Sequence, residues 1–126
     1  MADTTAAMIA PERAQALADS WIAAWNAHDL KLVLAHYSED FEMTSPYIVQ
    51  ITGEVSGTLR GKAAVGAYWR KALERFLELH FDPLHVLSSP ASVTLVYRSN
   101  RSGIAAEVFF LDAQGLIWKA VAHYAV

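Results

Sequence analysis

The sequence predicts an α+β domain in which N-terminal helices cover one face of an antiparallel β-sheet. Three observations carry this prediction. Apolar residues recur at helical spacing in two long stretches, Pro11 to Ala27 and Gly61 to Leu79. From residue 80 onward the period changes, with apolar runs near 80–88, 92–99, 104–111 and 116–124. The breaks between those runs are turn sequences, Ser-Ser-Pro, Asn-Arg-Ser-Gly and Asp-Ala-Gln-Gly, short enough to join antiparallel neighbours. Helices followed by a strand meander bury their apolar stripes against the sheet.

Each element has a local reason. Residues 1–9 read as a loose tail. Pro11 suits the first turn of a helix, and Glu12 favours its positive end. Ala14, Leu17, Ala18, Trp21, Ala24 and Trp25 form one apolar stripe. Asp29 is placed to cap a second, shorter helix, Leu30 to about Tyr37. Phe41, Met43 and Ser45 alternate with Glu42 and Thr44 as a short strand that stops at Pro46. The stretch Tyr47–Arg60, rich in Thr, Gly and Ser, reads as a hairpin or loop. Gly61 opens the clearest helix, with Val65, Tyr68, Trp69, Ala72, Leu73 and Phe76 inward and Arg70, Lys71, Glu74, Arg75 and Glu78 opposite.

Composition narrows the function classes. A chain of 126 residues fits one domain, 1–126. Its 54% hydrophobic content exceeds the usual share of about 45–50%, even with Gly left out of the count. That surplus calls for an interior cavity, a subunit interface, or both. The charge, 10 − 13 = −3, argues against a nucleic-acid partner, which needs a basic face. The absence of cysteine excludes disulfides, a thiolate nucleophile and Cys-ligated metal. His28, His36, His80 and His85 lack zinc-motif spacing, so no metal or other cofactor is expected. No apolar run approaches the roughly 18 residues of a membrane span, and MADTTAAMIA does not read as a signal peptide. A cytoplasmic protein is the expectation.

Four-residue turns at 100–103 and 112–115 would set Ser99 opposite Ile104 and Leu111 opposite Leu116. Alternation then places Thr94, Val96, Arg98, Ala105, Glu107, Phe109, Trp118, Ala120, Ala122 and Tyr124 on one face. Glu107 is there ringed by alanines and walled by Phe109 and Trp118, which describes a ligand cavity. Desolvation would raise its pKa toward that of a general acid, whereas an ion pair with Arg98, diagonally adjacent, would keep it ionised. Val93, Leu95, Tyr97, Ile104, Val108, Phe110, Val121 and His123 fall on the other face, which suits a homodimer interface.

The segments WIAAWNAHDLKLVLAHYSEDFEMTSP, GKAAVGAYWRKAL and AEVFFLDAQGLIWKAVAHY resemble the nuclear-transport-factor-2-like (NTF2-like) superfamily. It includes the SnoaL-like polyketide cyclases and the ketosteroid isomerases. The resemblance runs from about Pro11 to Tyr124 and implies a cone, with helices packed on a curved antiparallel or mixed sheet. It also implies positions for steroid-isomerase chemistry. The Tyr donor falls on Trp21, the general base on Ser45 before Pro46, and the second acid on Glu107. One of the three keeps its chemical type, and a serine does not shuttle protons at neutral pH. The Asp-Arg-Asp set of the family's epoxide hydrolases fails as well, since its last-strand member falls on Ala122.

The sequence therefore points to a cone that binds a small apolar molecule with one polar end. Trp21, Trp25, Met43, Tyr47, Trp69, Phe109 and Trp118 would supply the walls. Glu107, with Arg98 and Ser45, would anchor the polar end, Glu107 serving as general acid in an isomerase, cyclase or dehydratase reaction. The competing expectation is a non-catalytic dimer that sequesters a ligand or contacts another protein.

Overall fold

Helix α1 (Pro11–Asn26) begins at proline with Glu12 in its first turn and buries Ala14, Ala18, Trp21, Ile22, Ala24 and Trp25. The computed structural model describes residues 8–126, so most of the expected tail lies outside the described residues. Its end is not loose. Ile9 is buried, donates its N–H to the Ser89 carbonyl at 3.0 Å and accepts from the Ser88 hydroxyl at 2.9 Å.

Helix α2 (Leu30–Leu34) is capped as expected, the Asp29 carboxylate accepting from the Leu32 N–H at 3.1 Å. It stops short of Tyr37, because strand β1 (Tyr37–Thr44) starts there with the Tyr37 ring buried against Phe41 at 4.3 Å. The Tyr47–Arg60 stretch is neither hairpin nor plain loop. It holds helix α3 (Pro46–Thr52) and strand β2 (Thr58–Arg60). The Ser45 hydroxyl caps α3 by accepting from the Tyr47 N–H at 3.2 Å, and Gly53 ends it at φ 80°. Two turns of helix are too short for an apolar period to stand out.

Helix α4 (Lys62–Arg75) buries Val65, Gly66, Tyr68 and Trp69 and ends before Leu79. Phe76 leaves the helical region at φ −116° and ψ 73°, which stops the helix there. Beyond it the carbonyls of Glu78 and Leu79 accept from Asn100 at 2.6 Å and from the His28 ring at 2.8 Å. Strands β3 (Phe81–Ser88), β4 (Ser92–Ser99), β5 (Gly103–Leu111) and β6 (Ile117–Tyr124) follow. The sheet runs β2-β1-β6-β5-β4-β3 and is mixed, because β1 lies parallel to β6 while every other pair is antiparallel. Helix α1 packs along β3 and α4 against β1.

Two register details differ from expectation. The β4–β5 turn is one residue shorter, pairing Ser99 with Gly103 and Leu95 with Glu107. Gly103 closes that turn at φ 74°, while the Ser99 hydroxyl accepts from the Arg101 and Ser102 N–H groups at 3.1 and 3.4 Å. A one-residue slip exchanges the faces of a whole strand. Val93, Leu95, Tyr97 and Ser99 therefore point inward and are buried, while Thr94, Val96 and Arg98 lie outward. On β6 a bulge between the Phe110–Lys119 and Leu111–Ile117 pairs turns Ile117 inward and leaves Trp118 48% exposed. Ala120 and Ala122 keep the inward face that alternation assigns them, and Ala106, Val108, Phe110, Lys119, Val121 and His123 the outward one.

Candidate functional site

Helices α1, α3 and α4 and the inner sheet face enclose a cavity of about 110 Å³. A single water needs on the order of 10–15 Å³, so the space is several times larger than one water requires. Trp21 and Trp25 come from α1, Met43 from β1, Tyr47 and Ile51 from α3, Tyr68 and Trp69 from α4. The sheet contributes Phe81, Tyr97, Glu107 and Tyr124. The lining meets solvent at Phe76, Leu79, Arg101 and Ser102. Aromatic contacts hold the walls: Trp21 stacks on Phe81 at 5.7 Å, and Trp25 meets Trp69 edge-on at 5.3 Å.

Glu107 is 4% exposed and sits mid-sheet, opposite Leu95 on one side and Ala122 on the other. The Tyr97 hydroxyl, diagonal to it, donates to Oε1 at 3.4 Å, a long and therefore weak bond. Oε2 has no partner among the described residues. Burial among apolar groups penalises the carboxylate and pushes the Glu107 pKa up to about 8, only partly offset by Tyr97. With its pKa at about 8 the group favours the neutral acid at neutral pH. Because Tyr97 donates to Oε1, Oε2 is the oxygen left open to carry a proton toward the cavity. The Trp25 indole Nε1 is a second buried donor without a partner. Burial also raises Tyr97 strongly and Tyr68 to about 12, so both phenols stay protonated.

Six of the residues expected from sequence meet in this cavity: Trp21, Trp25, Met43, Tyr47, Trp69 and Glu107. Four do not line it. Arg98 is exposed on the outer face, so neither the ion pair with Glu107 nor its anchoring role exists. Trp118 lies outside as well, beyond the bulge, against Phe110 at 6.0 Å. Phe109 points inward but packs behind Trp21 at 5.3 Å, fully buried in the core. Ser45 is buried as the cap of α3 and does not line the cavity.

Tyr97 and Ser99, which the longer turn would place outside, line the cavity instead. Their signal was Gly103, a residue able to close a three-residue turn. Trp21 takes the place where the resemblance implies a tyrosine donor, but its Nε1 donates to the Tyr37 hydroxyl at 2.9 Å and is not free. Among the described residues the lining contains one carboxyl group and no imidazole, and no cluster of His, Asp and Glu could hold a metal ion.

These features define an α+β cone whose helices and sheet close around one buried acid. The model of the SnoaL-like domain matches residues 18–124, and the chain belongs to that family, within the NTF2-like superfamily. It is similar to a SnoaL-like protein of unknown function from Burkholderia thailandensis, with 49% identity, a TM-score of 0.90, and coverage of 94% of this chain and 98% of the other. A SnoaL-like family protein from Agrobacterium tumefaciens, named as a candidate isomerase, superposes with TM-score 0.71 at 17% identity over 91% and 99% of the two chains. SalBIII, an epoxide hydrolase/cyclase-like enzyme with a role in pyran ring formation in the polyether salinomycin, does so with TM-score 0.72 at 16% identity over 93% and 94%. At such identities the likeness is one of fold. No curated protein matches the chain.

Proposed function

We propose that the protein is a cytoplasmic homodimer whose cone binds a small, mainly apolar molecule through an oxygen atom held by protonated Glu107. The carrying observation is Glu107 Oε2, a buried acid oxygen with no protein partner among the described residues, in the lining of an aromatic cavity. A buried unpaired donor is costly, and a ligand carbonyl or ether oxygen would relieve that cost. The Trp25 indole offers a second donor to the same molecule. With a pKa of about 8, Glu107 is also poised to give up its proton near neutral pH, as a general acid in an isomerase, cyclase or dehydratase reaction. Relatives of this fold named as a candidate isomerase and as an epoxide hydrolase/cyclase-like enzyme are in keeping with that chemistry.

A second reading is a non-catalytic module that sequesters its ligand. It is favoured by the lack of another carboxyl or imidazole among the described lining residues, which leaves Glu107 without a partner base. Two variants of Glu107 test the anchor and separate the two readings. Calorimetry with 2-octanone, a ketone on an apolar chain, is expected to detect binding that Glu107→Leu weakens about tenfold, the effect of one lost buried hydrogen bond. Unchanged binding by that variant would refute the anchor. Glu107→Gln keeps the shape and a donor but has no proton to transfer. In an enzyme it binds and does not turn over; in a sequestering module it matches the wild type throughout.

A further inference from the structure

We propose that Arg101 selects ligands carrying an anionic group at the end opposite the oxygen held by Glu107. This rests on the cavity being a ligand site, and it names the class of molecule that fits: an elongated apolar acid with a carbonyl, ether or hydroxyl oxygen at its far end.

Arg101 is the one cation among the described residues lining the cavity, and it stands where the lining meets solvent. Its guanidinium lies 4.1 Å from the centroid of the Phe76 ring, which is itself part of the rim, and Arg75 approaches the same ring at 5.5 Å. Packing over the ring restrains the guanidinium by cation–π attraction while its N–H groups remain able to meet a carboxylate or similar anion. Among the described residues no carboxylate lies within ion-pair distance of Arg101; the ion pairs of the structure involve Arg60, Lys119 and His80.

The backbone beneath it is braced. Ser99 accepts from the Arg101 and Ser102 N–H groups, and Asn100 bridges to Glu78 and His80. The cation is thus presented from a held turn, in a chain whose net charge of −3 would otherwise repel an anion.

The two ends of the cavity demand different chemistry. At the buried end, Glu107 and the indoles offer no countercharge, so an anion there would remain unpaired in apolar surroundings. At the rim, Arg101 supplies the charge and solvent remains close. Glu107 and Gly103, at the foot of the Arg101 turn, are four residues apart on β5, or about 13 Å at 3.3 Å per residue. A molecule touching both ends is therefore extended, its oxygen inward and its anion outward.

The test uses a matched pair, 7-oxooctanoate and 2-octanone, which share the ketone and carbon count and differ in the terminal carboxylate. In calorimetry at neutral pH, Arg101→Gln is expected to weaken 7-oxooctanoate about three- to fivefold, the effect of one partly exposed ion pair. Its affinity for 2-octanone stays unchanged. Added salt weakens 7-oxooctanoate in the wild type and no longer does so in the variant. An equal loss for both ligands, or no loss for 7-oxooctanoate, overturns the selective role of Arg101 and leaves the cavity reading intact. If the wild type binds neither ligand, the cavity reading falls and this inference with it.

Discussion

At the scale of the residue, Glu107 ties stability to pH. Its folded pKa is raised from 4.5 to about 8 by burial, so the native state retains a proton that the unfolded chain releases. The penalty is absent below pH 4.5, where both states are protonated. It grows as pH rises between 4.5 and 8 and levels off above 8. Its full size is on the order of 5 kcal/mol, since each pKa unit corresponds to about 1.4 kcal/mol. Glu107→Gln, which cannot ionise, is expected to become progressively more stable than the wild type between pH 5 and 9 in urea titrations. Parallel pH profiles for the two proteins would show that the carboxyl is not buried as described. Glu107 itself was legible as a lone acid in an apolar strand. Its neighbours were less so, because the choice between Arg98 and Tyr97 depended on whether one turn had three or four residues. No side-chain pattern decides that where both strand faces are apolar.

At the scale of the element, legibility followed length. Helices α1 and α4 and strands β3 to β6 run long enough for their periods to show, and their turns are marked by Gly, Asn, Asp and Ser. Helix α3 is seven residues long and was missed, although Ser45, Pro46 and Gly53 are its start and stop signals. Ser45, where the resemblance sets the general base, instead uses its oxygen to cap that helix. Ser45→Ala should cost about 1 kcal/mol of stability, a fall of roughly 3–6 °C in Tm for a chain of this size, with 2-octanone affinity unchanged. Thermal melts followed by calorimetry check both halves, and a large loss of affinity at unchanged Tm would return Ser45 to the site. The β6 bulge belongs at this scale too. One extra residue sends Trp118 out and Ile117 in, and alternation alone does not foresee it.

At the scale of the whole molecule, the two sheet faces divide the apolar surplus of the sequence. The inner face is consumed by the aromatic core and the cavity. The outer face keeps Val96, Ala106, Val108, Phe110 and Val121 only half-buried, with Leu87 53% and Trp118 48% exposed. Polar and charged groups surround these residues: Arg98, His85 and His123 on one side, and Glu42 paired with Arg60 at 2.7 Å on the other. An apolar centre within a polar rim is the anatomy of a protein interface, and a second copy of the chain presents the same self-complementary patch. The proposed dimer should therefore have a mass near 28 kDa (2 × 13.9 kDa) by light scattering at micromolar concentration. Val108 and Val121 face each other at the centre of that patch, outside the core. Val108→Lys with Val121→Lys sets like charges against each other there and should halve the mass. Because those side chains point away from the cavity, the double variant should still bind 2-octanone. A wild-type mass near 14 kDa would mean that this face meets solvent or a different partner, whereas loss of ligand binding on dissociation would show that the cone depends on its neighbour for shape.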